Sequence, residues 1–189
     1  MTASASLAPL TFRPLTRADL PMLHGWLQRP HVAEWWHEPT TLAELEDDYF
    51  SADALASSTR PCIALLGAEP IGFIQSYVAL GSGAGWWENE TDPGTRGIDQ
   101  FLADEARLGR GIGSAMVDAF AKRLFADPAV TRIQTDPSPD NERAIRCYRR
   151  AGFVDRGEVV TPRRPGAADG QGSALATDAA RPSWHPAMP

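Results

Sequence analysis

Apolar positions recur along this chain with two periods. Leu20, Leu23 and Leu27 fall three and four apart behind Thr16, with Asp19 at the capping-box position, and predict a helix to about Leu27 that Pro30 stops. Thr41 with Glu44 opens a second helix reaching about Phe50, and Val117, Phe120, Ala121 and Leu124 stripe a third from Ser114 to about Phe125. Asn141 to Ala151 forms a fourth, ended by Gly152. Strand-like runs occupy Leu10 to Leu15, Cys62 to Leu66, Ile71 to Leu80, Arg96 to Leu102, Thr131 to Thr135 and Phe153 to Val160. Strands come first together and then alternate with helices, which predicts an α/β (α+β) fold on a mixed sheet. More than half of Arg163 to Pro189 is Ala, Gly or Pro, with no period to bury. The expected division is therefore a folded domain over 1–162 and a poorly ordered tail over 163–189.

Composition narrows the classes. At 189 residues, 43% of them apolar and 22% charged, the chain suits one globular domain and excludes wholesale disorder. No run approaches the roughly 20 apolar residues of a membrane span, and Met1 to Pro9 lacks the basic and apolar regions of a secretory signal. Two cysteines, Cys62 and Cys147, make no disulfide framework and suit a reducing, cytoplasmic setting. A net charge of −6 argues against nucleic acid and for a cationic or neutral partner.

The chemistry concentrates around Leu108-Gly109-Arg110-Gly111-Ile112-Gly113-Ser114, between a strand and an amphipathic helix. Glycines let backbone N–H groups converge on an anion, and the following helix adds its positive end. The alternative is a tight turn that binds nothing. The spacing matches neither the dinucleotide fingerprint nor the P-loop, so a pyrophosphate in another topology is what survives. Downstream, Asn141, Ala144 (or Ile145) and Tyr148 share one helix face, where a ligand could pass with Tyr148 as proton donor to a leaving group. Otherwise Tyr148 is a half-buried core aromatic.

Leu108 to Ser114 with Asn141 to Phe153 resembles the coenzyme A-binding core of the GNAT acetyltransferases. Further strings, including Glu34-Trp35-Trp36, Gln75-Ser76-Tyr77, Arg96-Gly97-Ile98-Asp99-Gln100 and Ile133-Gln134-Thr135-Asp136-Pro137, resemble the aminoglycoside 6'-N-acetyltransferases across most of 10–161. The resemblance implies a mostly antiparallel central sheet flanked by helices. It implies acetyl-CoA as donor, held by the loop, by Asn141 and Ala144 and by strand amides of Gln100, Phe101 and Leu102. The implied acceptor is a polycationic aminoglycoside, with no metal, no nucleic acid and no membrane, on a monomer or homodimer. Its 6'-amine would attack the thioester directly, Asp99 accepting the amine's proton and Tyr148 protonating the thiolate. Asp99 and Asp136 would pair substrate ammonium groups. Gln75 and Tyr77, two apart on one strand, would line the same cleft, and Trp36, Tyr49 and Trp86 would pack on sugar faces or belong to the core.

Three departures qualify this. Leu108 replaces a usual Arg or Gln, Ala84 stands where the family carries an acid, and after Pro162 the family's apolar final strand gives way to a segment that reads like a shifted frame. The last strand is thus open to loss. Competing expectations are an acetyltransferase of another amine, such as a siderophore precursor or polyamine, and a catalytically impaired coenzyme A-binding module.

Overall fold

The computed structural model describes residues 9–36, 41–82, 87–161 and 172–180. Seven strands form one sheet: β1 (Leu10–Pro14), β2 (Arg60–Leu66), β3 (Glu69–Val78), β4 (Thr95–Leu102), β5 (Arg132–Thr135), β6 (Val154–Thr161) and β7 (Gly172–Ala180). Their order is β1, β2, β3, β4, β5, β7, β6, antiparallel at every pairing except β4 with β5. Among the described residues six α-helices and two short 3-10 turns (Arg17–Asp19 and Glu105–Arg107) complete the order: α1 (Leu20–Leu27), α2 (Pro30–Ala33), α3 (Leu42–Phe50), α4 (Ala52–Ala56), α5 (Ile112–Phe125) and α6 (Glu142–Arg150).

Strand alternation sorts the core into two layers. On one face Ile63, Phe73 and Phe101 meet Leu23 and Trp26 of α1, Leu45 of α3, and Trp36 from the segment between α2 and α3. On the other, Ile74, Ile98 and Ile133 meet Val117 and Phe120 of α5 and Tyr148 of α6. The capping box expected at Thr16 and Asp19 is present, closing a 3-10 turn that leads into α1. Asp19 is buried, taking Arg13 on both oxygens at 2.6 Å and the Thr16 amide and hydroxyl at 2.9 and 2.7 Å. It therefore ties β1 to the start of α1.

The expectation of a lost last strand is corrected. Residues 172–180, inside the segment read as a tail, form β7 between β5 and β6, pairing Thr135 with Thr177 and Glu158 with Leu175. Ala176, Thr177 and Asp178 are buried, and Arg156 donates to Asp178 at 2.9 Å. Small side chains carry little periodic signal. A strand with neighbours on both edges is stabilised by its backbone ladder, and local composition does not record that. The remaining tail residues lie outside the described ones.

Candidate active site

The parallel ladder of β4 and β5 ends early. It runs from Thr95–Arg132 to Gly97–Gln134, although β4 continues to Leu102. Beyond Gly97 the two strands part, so among the described residues the 98–102 stretch of β4 keeps one edge without a strand neighbour. The site is built around that parting.

At its mouth lies a cleft of about 310 Å³. One wall is β4 from Gln100 to Leu102, a second is the glycine loop (Leu108, Gly109, Gly111, Gly113 and Ser114), and a third is the Asn141, Ala144 and Cys147 face of α6. Most of the expected donor-site residues thus line one cleft; Arg110 is exposed on the loop, Ile112 opens α5 and Tyr148 is buried, and these three are not in the lining. Gly109 and Gly111 take φ of +72° and +82°, left-handed values that side-chain-bearing residues rarely adopt. The first bond of α5 joins the Ala115 amide to the Gly111 carbonyl, so the amides of Ile112, Gly113 and Ser114 lack helical partners and are available to an anion. Gly113 is a packing glycine: a Cβ there would lie 3.3 Å from Cys147 Sγ, so α5 and α6 approach closely. Asn141 is spent partly on structure, its Oδ1 capping α6 by accepting the Ala144 amide at 3.0 Å.

Tyr148 is buried at the base of α6, against Phe153 at 5.4 Å between ring centroids. Burial pushes its phenol far above the usual value. Thr135 and Gln100 face it and partly offset that shift, while Cys147 and Asp99 add to it. A phenol so placed stays protonated through neutral pH and so has a proton to give. Cys147 lines the cleft, but burial raises its thiol as well, against a partial offset from Ser114. A neutral thiol is a poor nucleophile.

Asp99 is half-buried on β4 opposite Gln75 of β3, whose Nε2 donates to it at 3.0 Å. Gln75 Oε1 is buried with no hydrogen-bond partner among the described residues. Tyr77 lies two residues on from Gln75, over Gly97, its hydroxyl accepting Trp87 Nε1–H at 3.0 Å. Asp136 is half-buried just past the end of β5. By strand alternation Gln75, Tyr77 and Asp99 share the Phe73 and Phe101 face, opposite Tyr148.

The aromatic expectations need correction. Trp36 is buried edge-on to Phe73 and Phe101, at 5.6 and 5.1 Å, and its remaining edge lines the cleft beside the glycine loop. Tyr49 packs edge-on to Phe73 at 5.7 Å. Trp36 thus belongs to the core while one part of it lines the cleft, and Tyr49 is a partly buried ring packed against that core. Trp86, with Ala84, lies outside the described residues.

Sequence reasoning missed the fourth wall, in which α2 contributes His31 and Val32, with Trp35 just beyond it. His31 Nε2 lies 3.0 Å from the Leu102 carbonyl. It also missed Arg143, Arg146 and Arg150, which line the α6 side. Their spacing of three and four was readable as a helix face, whereas His31 is 71 residues from its partner and left no local signal. No group of three or more potential metal ligands occurs among the described residues, nor any helix long and apolar enough to cross a membrane.

A model of the GNAT acetyltransferase domain matches residues 16–161. Over 159 residues the chain is 54% identical to the aminoglycoside N(6')-acetyltransferase type 1 of Klebsiella pneumoniae, an alignment covering 82% of this chain and 79% of that relative. It is 61% identical over 80 residues to a kanamycin resistance protein of Rhizobium radiobacter, covering 42% of this chain and 74% of that one. It superposes on the crystal structure of aminoglycoside acetyltransferase AAC(6')-Ib in complex with coenzyme A and kanamycin with a TM-score of 0.82 and 52% identity, covering 92% and 95% of the two chains.

Proposed function

Because this chain belongs to the GNAT acetyltransferase family, we propose that it transfers the acetyl group of acetyl-CoA to the 6'-amine of aminoglycoside antibiotics and so confers resistance. The observation that carries the reading is the parting of β4 and β5. Beside it lies a cleft lined by the glycine loop and α6, with the buried Tyr148 phenol against Gln100 and Thr135 and within electrostatic reach of Asp99.

The loop amides and the start of α5 suit a diphosphate. The free edge of β4 from Ile98 to Leu102 offers main-chain groups to an extended pantetheine arm and an N–H to the thioester carbonyl. Asp99 and Asp136 attract the ammonium groups of the acceptor. The reacting amine must be neutral, so Asp99, oriented by Gln75, takes its proton directly or through one water. The amine nitrogen then bonds to the thioester carbon, and the carbon–sulfur bond breaks as the tetrahedral intermediate collapses. Tyr148 passes its proton to the leaving sulfur, and the proton that the bonded nitrogen must lose to become an amide returns through water to restore the phenol. No acetyl-enzyme forms, in keeping with the neutral thiol of Cys147. The need for acetyl-CoA places the reaction in the cytoplasm.

A thiol-release assay with acetyl-CoA and kanamycin, tobramycin or spermidine tests the reading. Turnover with the aminoglycosides, and NMR of the product showing acetylation at the 6'-nitrogen, is expected. Turnover of spermidine alone, or acetylation at another nitrogen, would overturn it.

A further inference from the structure

The cleft contains more positive charge than the glycine loop explains. Arg143, Arg146 and Arg150 all line it from α6, at spacings of three and four that align them along one edge. From first to last they span about 10 Å of helix axis. They belong to a chain whose net charge is −6.

Structural reasons account for the other basic groups of α6. Arg149 turns away and pairs with Asp155, and Arg146 is held by Glu142 at 2.7 Å, one turn back. Arg143 and Arg150 make no hydrogen bond or ion pair among the described residues. Arg143 also sits in the first turn of α6, where the helix dipole disfavours a cation. A cation kept at an unfavourable position, unpaired and facing a cleft, suits an anion that arrives from outside.

Coenzyme A carries two separate anionic groups. Its diphosphate suits the loop amides, and its ribose 3'-phosphomonoester bears close to two further negative charges at neutral pH. Resting on the acetyl-CoA reading above, we propose that Arg143 and Arg150 recognise this 3'-phosphate. They would make the protein selective for the full coenzyme over donors lacking that group. Arg146, half-neutralised by Glu142, would add only a weaker field.

The test is calorimetric titration of the full chain with coenzyme A and with 3'-dephospho-coenzyme A, repeated for R143Q/R150Q. Both arginines are exposed, so the folded core is untouched. The full coenzyme should bind at least about tenfold more tightly, and the double variant should shrink that ratio toward one. With the acetylated donors, the difference should appear in KM while kcat stays the same, as expected of a group remote from the reacting atoms. Equal affinity of the unaltered protein for both ligands, or a ratio unchanged in R143Q/R150Q, would overturn the assignment alone. Failure of folded protein to bind either ligand would overturn the acetyl-CoA reading with it.

Discussion

Tyr148 and Asp19 show how one neighbourhood sets what a side chain can do. Burial keeps the Tyr148 phenol protonated, so its contribution is a proton that phenylalanine lacks. Tyr148→Phe should lower kcat roughly 10- to 10⁴-fold while coenzyme affinity holds, as steady-state kinetics beside calorimetry will read; unchanged turnover would remove Tyr148 from the chemistry. Asp19 is a stability residue. Hydrogen bonds from the Arg13 guanidinium hold its carboxyl at about 2, below the usual 3.8, helped by Thr16 and opposed by burial. A lowered value in the folded state means the contribution is complete above about pH 4 and fades as pH falls through 2. Asp19→Asn should therefore cost about 2 kcal/mol at pH 7, and much less near pH 2, in urea titrations at the two pH values. An equal cost at both would mean that charge is not what Asp19 contributes. Thr16 and Asp19 were legible in the sequence because a capping box is local. Arg13 as their partner was not, since nothing in its spacing separates it from any surface arginine.

At the scale of elements, the decisive feature is that β4 and β5 pair for three residues and then separate. Helix stripes and strand runs announced the elements themselves, and the glycine loop and the α6 face, read together as a candidate site, line one cleft. The parting was not, because pairing is a property of two strands and only one is seen at a time. Gly97 sits at the last pair, and a Cβ there would lie 2.1 Å from the Tyr77 ring. Gly97→Ala should destabilise the protein by about 1–3 kcal/mol, lowering Tm by several degrees, and should disturb the Tyr77–Trp87 contact. A Tm within a degree of the unaltered protein would show that Tyr77 swings aside freely. Trp36 and Tyr49 teach a related lesson: an aromatic string identifies large apolar surface, and only packing decides whether it faces a ligand or Phe73.

For the whole molecule, the tail carries the main reversal. Composition alone would have truncation after Pro162 leave Tm and activity unchanged. With β7 inserted between β5 and β6, truncation instead removes a doubly bonded strand and leaves β6 without its neighbour. Chain ending at Pro162 should therefore melt about 10 °C or more lower, or fail to accumulate as folded protein, by calorimetry or circular dichroism. Unchanged melting would show that β7 adds nothing to the sheet. By itself the amino-acid order determined whatever depends on neighbours a few residues apart: helix stripes, the capping boxes at Thr16 and Thr41, the left-handed glycines at 109 and 111, and the shared face of Asn141, Ala144 and Tyr148. Tertiary structure alone decided what depends on partners tens of residues away: the place of β7, the gap after Gly97, the His31 wall of the cleft and the raised phenol. The physical reason is that capping and periodicity act within a turn or two of chain. Ladder bonds, desolvation and burial exist only once distant segments meet.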